Sequence, residues 1–164
     1  MKILFDKFSN IAVIIGCIVS FCFLFSGPNL ILTDEPSNLG LKNQLLSPCP
    51  GTPNCVSSQE KDSQNSILPI TYKDSLEQAK ERIYRVINSM RDTRIITKEV
   101  FYLHVEFTSM VFRFIDDVEF YFDGSQSLIH VRSASRWGYW DLGVNRRRVE
   151  SIRSKFEKLK IENV

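Results

Sequence analysis

Between Arg132 and Arg148 the chain reads Arg-Ser-Ala-Ser-Arg-Trp-Gly-Tyr-Trp-Asp-Leu-Gly-Val-Asn-Arg-Arg-Arg. Five arginines, three large aromatics, two glycines and one carboxylate stand together there. Guanidinium forks beside the free N–H groups of a helix start can hold a phosphate, sulfate or carboxylate. The candidate ligand-binding residues are therefore Arg132, Arg136, Trp137, Tyr139, Asp141, Asn145, Arg146 and Arg148. A structural reading competes with this. Asp116, Asp117, Glu119 and Asp141 can neutralise the arginines, with Glu150 pairing along the helix. A third reading makes Asp117 or Asp141 the base of a hydrolase, with arginines stabilising developing negative charge. Its support is thin: there is no nucleophile–base pair, no metal-ligand set and no G-x-G-x-x-G fingerprint, and no cofactor is implied.

Asn145 reads as the N-cap of a helix from about Arg146 to Lys158, on which Val149, Ile152, Phe156 and Leu159 recur at helical spacing. Arg146, Arg147 and Arg148 then occupy the first turn, where the helix dipole disfavours each cation by about 0.3–1 kcal/mol. Something negative must offset them, from within the chain or from a ligand. As loop residues, Trp137, Tyr139 and Trp140 could cover the sheet end, line a cleft or dip into a membrane surface.

The elements that position this stretch are legible upstream. A first helix follows Asp74, whose spacing to Glu77 suggests a capping box, and runs to about Arg91 with Leu76, Ala79, Ile83, Val86 or Ile87 and Met90 on one face. Strands follow at 94–99, 101–107, 111–115, 118–123 and 128–133, with a possible edge strand at Ile67–Ile70. His104 falls on the polar side of its strand and reads as a surface histidine. The expected fold is α+β, an antiparallel sheet of four to five strands with two helices on one face, preceded by an N-terminal hydrophobic segment.

That segment is residues 1–27, read as a signal anchor or signal peptide. Lys2 and Lys7 precede an apolar run from Ile11 to Phe25, closed by Ser26-Gly27-Pro28 without an A-x-A site. Ile14-Ile15-Gly16-Cys17 resembles a lipobox, but apolar residues continue past Cys17. Lysines before the run and Asp34 and Glu35 after it place the body outside the cytoplasm. The implied partners are a membrane through residues 8–26, an anionic small molecule or lipid, and a protein. A net charge of +2 argues against nucleic acid.

Residues 28–66 hold five of the six prolines with many Ser and Asn, and read as a linker ahead of an α+β domain at 67–164. Cys49 and Cys55 lie inside it and suit a local disulfide in an oxidising compartment. A thiol-redox pair is disfavoured because five residues separate them, where such enzymes use Cys-x-x-Cys.

The motifs Cys49-Pro…Pro53-Asn54-Cys55-Val-Ser-Ser, Asp117-Val-Glu119 and Arg132-Ser-Ala-Ser-Arg136-x-Gly138-x-x-Asp141-Leu-Gly143-x-Asn145-Arg146-x-Arg148 together resemble the domain of unknown function 1499 family. The resemblance brackets residues 49 to about 159. Members occur in bacteria, cyanobacteria and plant plastids, often behind a signal or membrane segment, which implies a periplasm or, in a photosynthetic source, a thylakoid lumen. It implies that the cysteines and the arginine stretch belong to one functional surface, and carries no reaction with it.

Overall fold

The computed structural model describes residues 35–61, 64–110 and 112–159. The apolar segment read as an anchor lies outside them. Among the described residues no helix is long and apolar enough to cross a membrane.

Among the described residues eight strands and two helices make an α+β fold. The strands are β1 (Leu41–Lys42), β2 (Leu45–Leu46), β3 (Cys55–Ser57), β4 (Ile70–Thr71), β5 (Thr93–Lys98), β6 (Tyr102–Thr108), β7 (Ile115–Asp123) and β8 (Leu128–Ser135). The helices are α1 (Leu76–Asn88) and α2 (Val144–Lys158). The main sheet has six antiparallel strands in the order β3-β8-β7-β6-β5, and β4 also pairs with β8. Six strands replace the four to five expected because β3 comes from the segment read as linker. Residues 55–57 pair with 132–134, and Cys55 and Val56 are buried. Three residues are too short to show a period, so composition alone pointed to a loop.

Alternation along β6, β7 and β8 puts Leu103, Val105, Val118, Phe120, Phe122, Ile129 and Val131 into one core with Ala79, Ile83, Val86 and Ile87 of α1 and Val149, Ile152 and Phe156 of α2. Two sequence expectations shift locally. Ser75, not Asp74, caps α1, its hydroxyl accepting from Gln78 N while the Gln78 side chain accepts from Ser75 N. Asp74 instead pairs with Arg82. The strand expected at 111–115 is absent from the described part of that span. Residues 112–114 form a turn in which Ser109 accepts from Phe114 N, and β7 begins only at Ile115.

The second face of the sheet is also covered. Asn43 and Gln44 both have positive φ, the conformation of a two-residue hairpin turn, and join β1 to β2. Leu46 of this hairpin packs with Tyr102 and Tyr121, and Gly40 N donates to Glu119 at 2.8 Å. A Cys49–Cys55 disulfide closes the loop leading into β3.

Candidate functional site

Strict alternation means that what β6, β7 and β8 withhold from the core they present together on the second face. Register sets Glu106 opposite Asp117 and Ala134, and His104 opposite Glu119 and Arg132. The covering segment buries this row: His104 is 1% exposed, Asp117 2%, Glu119 0% and Arg132 2%. His104 is therefore not a surface residue. Its neighbours come from β7 and from Glu35, too distant in sequence for the alternation to show.

Charges buried this deeply persist only if paired. Arg136 Nε donates to Asp117 Oδ2 at 2.8 Å, and its Nη2 donates to Asp117 Oδ1 at 2.7 Å and Glu106 Oε1 at 2.6 Å. Arg94 Nη2 donates to Glu106 Oε2 at 2.7 Å. Arg132 Nη1 donates to Glu119 Oε2 at 2.8 Å, and Tyr102 donates to Glu119 Oε1 at 2.8 Å. Three arginines thus face three carboxylates. Burial pushes the Asp117 carboxyl up, but hydrogen bonds and charge from Arg136 and His104 outweigh it and hold it below the usual range. Being ionised, Asp117 only accepts, so His104 donates to it from Nε2 at 2.7 Å. The Asp117 hydrogen bonds push the Arg136 guanidinium up in turn.

A pH dependence follows. A depressed carboxyl contributes stability above its unfolded value of about 3.9, and that stability is lost as pH falls through the folded value. His130 is pushed down by burial, so proton uptake by the unfolded chain already erodes stability below about pH 6.5. The urea midpoint is expected to fall in two steps between pH 7 and pH 3, and His130→Gln to flatten the upper one. An unchanged midpoint down to pH 4 would contradict the His130 assignment, and the absence of a further fall below pH 4 that of Asp117.

Beneath the cover is a cavity of about 300 Å³ whose lining includes Pro36, Asn38, Asn54, Arg132, Ala134 and Arg136. The Nε of Arg132 is buried without a hydrogen-bond partner.

The remaining arginines belong to the other face. The N-cap of α2 is Gly143, at φ +75° where glycine is at ease, and not Asn145. Asp141 supplies the missing cap: its two oxygens accept from Gly143 N at 2.8 Å and Asn145 N at 2.7 Å. The carboxylate sits where an anion would have, and offsets the dipole that the arginines oppose. Asp141 therefore pairs with no arginine. Asn145, fully buried, accepts from Ser133 and Arg148 and donates to Asn54 O and Ser135 Oγ. Arg148 pairs with Asp116 and lies over the Phe107 ring. Arg146 donates to Gln64 O, Arg147 to Leu142 O, and Glu150 pairs with Arg153.

The sequence candidates do not converge on one site. Arg132 and Arg136 lie under the cover with Asp117 and Glu119. Asp116, Asn145 and Arg148 lie at the start of α2, and Trp137, Tyr139 and Trp140 are exposed. The candidate set misses an open groove of about 460 Å³ between the end of α1 and the start of α2, to which the arginine stretch contributes Val144, Arg147 and Arg148. Arg91, Arg147 and Lys155 line it beside Met90, Phe107 and Val144, and those three cations have no carboxylate partner among the described residues. Arg147, Ser151 and Lys155 lie four apart on α2, a stripe the sequence does carry. Arg91 joins it only through the fold. Among the described residues no cluster of His, Cys, Asp and Glu could hold a metal ion.

Comparison with known proteins finds no match among curated ones. A family model, described as protein of unknown function, matches residues 45–156, from β2 through the buried charge row to Phe156 near the end of α2. It takes in the disulfide loop, β3 and both motifs that meet in the Arg136–Asp117 pair. The chain therefore belongs to the DUF1499 family.

Proposed function

We propose that this is a non-catalytic binding domain held outside the cytoplasm by its N-terminal apolar segment, and that it binds an anionic group, the phosphate of a small molecule or a lipid headgroup. One observation carries the reading: the buried carboxylates are taken up by Arg94, Arg132, Arg136 and Arg148, while Arg91, Arg147 and Lys155, which line an open groove together with Arg148, have no carboxylate ion-pair partner among the described residues. The anion moves from the helix start, which Asp141 occupies, to a groove one turn further on. The Cys49–Cys55 disulfide and the lysines ahead of the apolar run support an extracytoplasmic, oxidising location.

The hydrolase alternative has less support. Asp141 is turned to backbone amides and Asp117 is locked between Arg136 and His104, so neither is free to act as base. A structural or assembly role draws on the exposed Trp137 and Trp140, and recovery of a stable membrane complex would favour it.

The test is thermal unfolding of the full chain with inorganic phosphate and glycerol phosphate. At a hundredfold excess over Kd, binding stabilises by about 2.7 kcal/mol. The melting temperature is expected to rise with both ligands in wild type and to stay flat in Arg147→Gln. A flat wild-type response to both would overturn the reading.

A further inference from the structure

We infer that the β6–β7 and β8–α2 loops dock on an anionic phospholipid bilayer, their aromatics entering the interface while the Arg91–Arg147–Lys155 groove takes a headgroup phosphate. This rests on the anion-binding reading above and names its ligand.

Two loops far apart in sequence form one apolar surface. Phe112 is 73% exposed, Trp137 60%, Tyr139 72% and Trp140 68%. The Phe112 and Phe114 rings stack with centroids 5.6 Å apart, and Phe114 stacks on Trp137 at 5.7 Å. Arg136 N donates to Ile115 O and fixes the two loops side by side. A contiguous exposed patch of large aromatics marks an interaction surface, because scattered single residues would not stack on one another in water. Further along the same loop Leu142 and Val144 are also exposed, and Val144 lines the groove.

Charge selects the occupant. Between 109 and 114, and between 136 and 140, the described residues include no carboxylate; Arg113 is exposed there, while Arg136 is turned inward onto Asp117 and Glu106. The next acid, Asp141, is turned inward onto backbone amides. An aromatic tip beside the exposed Arg113 and the groove cations Arg91, Arg147 and Lys155 matches the headgroup region of an anionic leaflet, where Trp and Tyr rings settle and each basic side chain near the surface is attracted. An N-terminal apolar segment acting as an anchor makes the encounter local and sets a high effective concentration at the membrane.

Trp137 and Trp140 are the only tryptophans in the chain, so intrinsic fluorescence reports on the tip alone. The experiment is emission from the full chain in nanodiscs of phosphatidylglycerol and phosphatidylcholine, against phosphatidylcholine alone, with brominated acyl chains as quencher. The expected result is a blue-shifted emission quenched by bromolipid in the anionic discs, and loss of most of that quenching in phosphatidylcholine or in Arg91→Gln/Arg147→Gln. Trp137→Phe and Trp140→Phe, each leaving one reporter, should both retain it. Emission that stays at the aqueous wavelength and is open to iodide in the anionic discs would overturn the proposal. If glycerol phosphate still stabilises the chain in that case, the groove binds a soluble anion or a protein covers the tip, and docking alone falls. If it does not, the anion-binding reading falls as well.

Discussion

Arg136→Ala is expected to cost about 3–5 kcal/mol, a large part of the roughly 5–15 kcal/mol that holds a domain of this size together. The arginine side chain is 5% exposed and spans two carboxylates, Asp117 and Glu106, at 2% and 8%. Removing it leaves Glu106 with Arg94 and Asp117 with His104 alone, both carboxylates being almost fully buried. The pH dependence should change sign locally. In wild type, Arg136 holds the Asp117 carboxyl down, and stability is lost as pH falls. In the variant, burial acts with much less opposition and raises that carboxyl above its unfolded value, so the folded state binds the extra proton and stability recovers toward acid pH. Urea unfolding at pH 7 and pH 5 measures both effects. Replacing the charges together, as Arg136→Met with Asp117→Leu, should restore much of the loss, because a neutral pair leaves less buried charge without a partner. A single variant within about 1 kcal/mol of wild type would mean that water reaches the row, and the buried-network account would fail.

The same row shows where a sequence can be read and where it cannot. Alternation in Leu103-His104-Val105-Glu106-Phe107 and in Val118-Glu119-Phe120-Tyr121-Phe122 assigned the core face correctly, because a period of two depends only on the strand itself. The polar positions looked solvent-facing by the same logic. Whether they meet water depends on a cover supplied by residues 35–61, some forty or more positions upstream of β6, whose strands of two and three residues have no period to detect. The acidic partners Asp116, Asp117 and Glu119 were legible as a group, yet their division between the two faces was not. It needs the register that sets Asp117 opposite Ala134 and Asp116 opposite Ser135. The helix starts failed by one or two residues for a more local reason. Asp74 and Asn145 are good capping types, but Ser75 has the extended backbone and the reciprocal Gln78 in one case, and Gly143 has the left-handed turn with Asp141 behind it in the other. Residue type proposes a cap, and backbone conformation decides it.

Asn145→Ala is the second large effect expected, at roughly 2–4 kcal/mol, from several buried groups left short of partners at about 1–3 kcal/mol apiece. As an N-cap, Asn145 would have been worth about 1 kcal/mol and would have tolerated Ser or Asp. Its position inside the helix makes it a junction. The amide oxygen takes Ser133 Oγ and Arg148 Nη1, both at 2.6 Å, and the amide nitrogen reaches Asn54 O at 2.9 Å and Ser135 Oγ at 3.0 Å. Asn54 in turn donates to Ser135 O and Gly138 O, so one side chain connects α2, β8, the disulfide loop and the root of the aromatic loop. Asn145→Asp separates the two roles. An aspartate would serve well at a helix cap, but here it cannot donate to Asn54 O, and it sets a carboxylate against a carbonyl oxygen. If chemical unfolding finds Asn145→Asp as stable as wild type, the residue acts as a cap or as a partner for Arg148 alone. A loss close to that of Asn145→Ala is the expected outcome, since the amide N–H groups tie the disulfide loop to the sheet and only an amide can supply both halves.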